Sequence, residues 1–230
     1  MKTKVTKRKL AELVFDYDLY PRSEIDSQHV GYLVEAIKSG ATLPALVIDA
    51  KSKKIADGFH RAKAYLRLNK PDFAVECIEK TYRNDGELLA DAMRYNAGHG
   101  RRLTTHDRAH CLILGDRLGL TPVQIAAALN MTPDAIGKLR ADRMGELQAV
   151  GAARPEPVAL KRTIRHMVGE TLTAEQSKAN DRLSGMQQQF YVNQVITILE
   201  NDLLEPDNPE LRERLLLLAR LIDTKLGATA

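Results

Sequence analysis

The run Ile55-Ala56-Asp57-Gly58-Phe59-His60-Arg61 places a glycine between an apolar stretch and the start of a helical pattern. A turn so built aims backbone N–H groups, the positive end of a helix and two cationic side chains, His60 and Arg61, at one point. That is the chemistry of a phosphate or other anion cradle. Taken alone, the pattern fits an ordinary strand-to-helix turn equally well. Asp57 beside it suits either a metal or the orienting of the turn.

A second run, Leu120 to Leu139 (LTPVQIAAALNMTPDAIGKL), has the parts of two short helices joined tightly. Such a pair needs a small residue where the helices touch, here Ala126. It needs a turn residue that tolerates the left-handed region, here Asn130. It also needs an apolar inner face, here Ile125, Leu129, Ile136 and Leu139. A helix-turn-helix of this kind presents Thr132, Pro133, Asp134 and Lys138 to a major groove, with Arg140 and Arg143 available for phosphates. The other reading is a tight hairpin within an α-helical core.

Composition narrows the classes. The chain has 230 residues, 44% of them apolar and 28% charged, an ordinary soluble mixture with room for more than one domain. No stretch approaches the roughly 18 apolar residues of a membrane helix, so no membrane association is expected. The basic opening MKTKVTKRKL has no apolar segment behind it, so no secretory signal is expected and a cytoplasmic location follows. Cys77 and Cys111 are the two cysteines, read as free buried thiols that cannot build a metal cage. The formal charge is +4, with basic residues in excess up to about residue 170 and acidic residues in excess after it. That balance permits nucleic-acid binding. The absence of Trp and the 5% aromatic content argue against a base-stacking binder of single strands.

The elements that must position these residues are interleaved at first. Val14 to Tyr17 (VFDY) reads as a short strand, and Val30, Leu33, Ala36 and Ile37 recur at helical spacing before a capping Gly40. Ala45 to Ala50 and the KIADG segment suggest a hairpin across KSKK. His60 to Asn69 reads as a helix, Phe73 to Lys80 as a strand and Gly86 to Asn96 as a helix. From Arg101 no strand is expected. Thr104 to Asp107 has capping-box spacing, and Thr121-Pro122 and Thr132-Pro133 each read as a cap and first-turn proline. Ala149 to Pro157 reads as a linker, Ala159 to Val168 as a basic helix, and Gln187 to Leu204 and Pro209 to Leu226 as amphipathic helices. Their apolar faces imply either an intramolecular core or a dimer.

The ordered segments Leu19 to Arg22 (LYPR), Gly40 to Asp49, the Gly58 turn and Arg94 to Thr104 (RYNAGHGRRLT) resemble the ParB/sulfiredoxin superfamily, specifically a ParB-like nucleotide-binding domain followed by its helix-turn-helix. The resemblance covers roughly Leu10 to Arg143. It implies CTP, or alternatively ATP, bound with Mg²⁺ through Arg22, Gly58, His60, Arg61 and Asn96, with His99 either a further phosphate contact or a cap of its helix, and a dimer that holds double-stranded DNA. Phe59 and Tyr95 stand where the family carries acids, which leaves hydrolysis without obvious carboxylates. Phe59 also replaces the catalytic cysteine of sulfiredoxins.

The expected fold is therefore α+β. A ParB/sulfiredoxin-like domain (1–100) precedes an all-α helix-turn-helix domain (101–170) and a C-terminal helical segment (171–230) that either dimerises or packs within the chain. The expected function is a DNA-binding protein in plasmid or phage partition or in transcriptional regulation, CTP-gated with little or no turnover. A ParA-type ATPase is the partner expected of a partition role, with the basic N-terminal peptide as one contact. The rival is a nucleotide-dependent enzyme, a nuclease or phosphotransferase, using the same cradle.

Overall fold

β2 (Leu46–Asp49) is buried along its whole length and forms the centre of the first sheet. It pairs antiparallel with β3 (Ile55–Asp57) and parallel with β4 (Ala74–Lys80), and β1 (Val5–Lys9) adds antiparallel to β4, giving the order β1-β4-β2-β3. In this computed structural model the described residues are 5–68, 72–98, 101–148, 154–205 and 207–227. The hairpin between β2 and β3 turns at Lys53, whose φ is +58°.

Two of the expectations for this region shift. Val14 makes only an isolated bridge to Lys54, and Tyr17–Leu19 is a 3₁₀ turn. The first strand instead lies in the basic N-terminal peptide. There Thr6 and Arg8 both reach Glu79 of β4, at 2.9 and 2.6 Å. A cross-strand carboxylate makes a strand of VTKRK, which has little apolar drive of its own.

Helix α1 (Ser27–Lys38) starts on the Asp26 cap and ends at Gly40, whose φ is +87°. Gly40 N–H reaches the Ile37 carbonyl and Ala41 N–H that of Ala36, which satisfies the last carbonyls as a Schellman motif does. Helices α2 (Phe59–Leu68) and α3 (Asp85–Gly98) fall where the apolar spacing puts them. Phe59, Ala62, Val75 and Cys77 pack on Leu10, Leu46 and Ile48 in one core cluster. α3 joins a second cluster that runs on into the helices after residue 100.

Helix α4 (Thr105–Arg117) opens with a complete Thr104–Asp107 capping box. α5 (Pro122–Ala128) and α6 (Pro133–Arg143) follow, each with proline in its first turn. Asn130 between them has φ +52°, and Ile125, Ala126, Leu129, Ile136 and Leu139 are all buried.

Beyond α6 the chain departs from the all-helical expectation. A three-stranded sheet forms, order β6-β5-β7, from β5 (Met144–Leu147), β6 (Glu156–Ala159) and β7 (Thr171–Leu172). The expected basic helix is the end of β6 followed by a 3₁₀ segment, Arg162–Met167. These strands are short and their packing partners are distant in sequence. A Cβ on Gly145 would stand 3.0 Å from Leu172 and 3.2 Å from Leu160, so close sheet packing needs the glycine. Buried Asn180 of α7 (Ala174–Arg182) ties the sheet down by accepting from Lys161 N–H and donating to the Ala159 carbonyl, at 2.8 and 2.9 Å. Most of the expected linker, residues 149–153, lies outside the described residues.

The chain divides into two compact units, Met1–Gly185 and Met186–Ala230. The second consists of α8 (Gln188–Glu200) and α9 (Pro209–Leu226), and neither helix has a buried residue. No helix among the described residues is long and apolar enough to cross a membrane.

Candidate functional site

Gly58 has φ +102°, a conformation that favours glycine. It turns the chain from β3 into α2 at the mouth of a cavity of about 490 Å³. Arg22, Gly58, His60, Arg61 and Asn96 all line that cavity, with Arg101, His29 and Tyr95 beside them. The structure thus gathers every described residue of the expected nucleotide set. His99 lies outside the described residues.

Each side chain is held in a specific way. Arg61 pairs with Asp57 at 2.5 Å and donates to the Pro44 and Ala45 carbonyls, at 2.8 and 3.1 Å. Its guanidinium folds back over the turn. A Cβ on Gly58 would lie 3.1 Å from Arg61 Nη2 and 2.5 Å from Leu46 Cδ2. The glycine therefore makes room for protein as well as for any ligand. Asp57 is the arginine's counter-ion at the turn. Arg22 is buried and donates to Asn96 Oδ1 at 3.1 Å and to the Arg101 carbonyl. Asn96 in turn donates to the Ala92 carbonyl at 2.9 Å. Arg101 pairs with Asp26, the α1 cap.

His60 corrects an expectation. Burial, with Arg22 and His29 nearby, pushes its imidazole down to about 4, and its Nε2 accepts from Asp26 N–H at 3.2 Å. It is neutral near pH 7, so the remaining nitrogen, Nδ1, carries the proton. Arg22, Arg61 and Arg101 bring guanidinium charge to this cavity, and His60 contributes a neutral polar edge.

Phe59 lies in the core, stacked on Tyr20 with ring centroids 4.4 Å apart and edge-on to Phe15 at 5.5 Å. Tyr95 receives Lys80 over its ring at 4.9 Å. Cys77 and Cys111 are free and buried, and burial pushes both thiols up, Cys77 to about 11. Among the described residues no three His, Cys, Asp or Glu side chains converge as a metal cluster.

The second candidate site is the outer face of α6. Thr132 caps the helix by accepting from Ala135 N–H at 3.2 Å. Thr132, Pro133, Asp134 and Lys138 are exposed on one face, with Gly137 and Ala141 between and beyond them. Asp134 and Lys138 pair with each other at 2.8 Å, one helical turn apart. Arg140 is pinned to Asp116 of α4 at 2.6 Å. Arg143 is buried and points elsewhere, into a different cavity. Arg101, which the sequence reading did not single out for the cradle, joins it because the chain returns past Asp26. The RYNAGHGRR run was the signal available for it.

No family model matches the chain. It is 29% identical over 117 residues to a "Streptomycin biosynthesis operon possible regulatory protein" of Streptomyces griseus, a stretch of 50% of this chain and 32% of that protein. The chain thus spans about a third of the length of the curated relative it matches. A C-terminally truncated chromosome-partitioning ParB from Caulobacter crescentus, complexed to the centromeric parS site, is 15% identical with a TM-score of 0.42, covering 59% of this chain and 71% of that one. The same truncated protein complexed with CTP-gamma-S is 16% identical with a TM-score of 0.37, covering 60% and 78%. These proteins are what the chain is similar to, at low identity and over part of its length.

Proposed function

We propose that this chain is a cytoplasmic, ParB-like DNA-binding protein acting in partition or transcriptional regulation, with a nucleotide held in the Gly58 cavity. One observation carries the reading. Arg22, Arg61, Arg101 and Asn96, distant in sequence, line one cavity of nucleotide size at a glycine turn that opens a helix. Guanidinium groups there pair with phosphates as planar forks. CTP is the nucleotide of first choice and ATP the second, with Mg²⁺ carried by the phosphates. In this reading nucleotide belongs to 1–100 with Arg101, DNA to 101–170, and dimerisation to α8 and α9 within 171–230.

The DNA contact in this reading is the helix-turn-helix of α5 and α6. Thr132, Asp134 and Lys138 face the groove, and Gly137 and Ala141 let the helix approach closely. The exposed apolar side chains of α8 and α9, among them Phe190, Leu199, Leu217 and Leu221, suit a homodimer. A ParA-type ATPase is the partner expected if the role is partition.

Calorimetry with CTP and with ATP, with and without Mg²⁺, tests the cavity, and phosphate release in the presence of duplex DNA tests turnover. Saturable CTP binding with little release supports the reading. Rapid release overturns it in favour of the phosphotransferase or nuclease alternative.

A further inference from the structure

A second cavity of about 490 Å³ lies between the first turn of α4 and the segment that follows β6. Three of the cations that line it are buried: Arg22, Lys161 and Arg143 are 6%, 8% and 9% exposed. Their bonds go mostly to neutral groups. Lys161 Nζ donates to the Asp181 and Leu183 carbonyls at 2.7 and 2.6 Å. Arg22 is held by the Asn96 amide oxygen and the Arg101 carbonyl. Arg143 Nε has no acceptor in hydrogen-bonding geometry. The carboxylate nearest it, Asp142 at 3.2 Å, also pairs with Arg165. Arg162, at the rim, has no ion pair among the described residues.

Against these stand two carboxylates of the wall, Glu24, which is exposed, and Asp107, which is buried and heavily used. One of its oxygens accepts from Thr104 N–H and Oγ, the other from Ser23 N–H and Oγ. Lys161, buried and held by carbonyls alone, keeps an uncompensated charge, which is costly unless a counter-ion completes it, while Arg143 shares Asp142 with Arg165. The first turn of α4 adds its positive end, and His106 there keeps a buried Nδ1 with no partner.

We propose that this cavity is a binding site for the phosphate of a small phosphorylated molecule, held by Arg22, Lys161, Arg143 and Arg162. It is separate in function from the Gly58 cavity, with which it shares Arg22 and Arg101 on its walls. A small ligand is favoured over duplex DNA because three of the four cations are recessed in a concavity, where a duplex backbone does not reach. Because Arg143 ends α6, an occupant also touches the helix assigned to DNA, as an effector would.

The test uses the full chain, with inorganic pyrophosphate and CTP as separate calorimetric probes. Arg162→Glu and the milder Arg162→Gln are compared with the unaltered protein after thermal melting confirms that they fold. Pyrophosphate affinity is expected to fall roughly ten- to a hundred-fold in Arg162→Glu and less in Arg162→Gln, with CTP affinity unchanged. If CTP binds neither form while the pyrophosphate loss persists, this site stands and the nucleotide reading of the Gly58 cavity falls. Equal loss of both probes merges the cavities into one site and overturns the proposal. So does unchanged pyrophosphate binding, including the case where Arg162→Glu weakens only duplex binding.

Discussion

The Gly58 cavity and the outer face of α6 each grow from a turn and a helix start that the sequence marks, at Gly58 and at Thr132-Pro133. They differ in what their charges are already doing. In the cavity, arginines from three separate segments converge, and each is bound to protein: Arg61 to Asp57, Arg101 to Asp26, and Arg22 to Asn96. On α6, Lys138 is exposed, and the two arginines assigned with it are turned away, one to Asp116 and one to the interior. A motif thus fixes where a cation stands along the chain, while its neighbours in space fix how much of its charge a ligand can use. A phosphate entering the cavity must compete with carboxylates. A duplex meeting α6 meets little local positive charge.

The largest expected effect is at Gly58. A Cβ there meets Leu46 at 2.5 Å, and φ is +102°. Gly58→Ala is expected to cost about 2–4 kcal/mol of stability, read as a lower urea midpoint, together with loss of nucleotide binding. A stable variant that still binds nucleotide would show that the turn has slack.

Arg61→Ala comes next, because it removes a partly buried ion pair and two carbonyl contacts. A loss of about 1.5–3 kcal/mol is expected, with nucleotide affinity falling in parallel. Lost affinity at unchanged stability would reverse the comparison, by making Arg61 a ligand contact and not a pin of the fold.

His60 gives a pH signature. Its folded value lies near 4, below the ordinary value near 6.5, so the unfolded chain binds its proton first as pH falls. Stability contributed by neutral His60 is complete above about 6.5 and is lost progressively down to about 4. Urea unfolding between pH 7 and 4 should show this fall, and His60→Gln should flatten it. NMR titration of the imidazole near 6.5 would sink the assignment.

The smallest effect is on α6. Lys138→Ala should lower the salt slope of duplex binding by about one unit, whereas Arg140→Ala should leave the slope nearly unchanged because Asp116 already neutralises that arginine. Equal effects from both would mean that the Arg140–Asp116 pair opens on DNA.

Local rules carried much of the fold to the reader of the sequence. Gly40 and Asn130 take the positive φ expected of a cap and a turn. Thr104, Thr121 and Thr132 cap their helices, and α8 and α9 follow their apolar spacing. Each depends on residues within a few positions of one another, where propensity and hydrogen-bond geometry are set by the chain itself. The residues proposed to hold nucleotide were legible only as an ordered set, through resemblance.

Tertiary structure alone decided the rest. β1 exists because Glu79, more than seventy residues away, receives Thr6 and Arg8. The second sheet exists because Gly145 admits Leu160 and Leu172, and because Asn180 clamps the strand end. His60 is neutral and Arg143 recessed because other segments bury them. Strand pairing, burial and charge compensation are properties of groups brought close in space, and a short pattern contains only half of each pair.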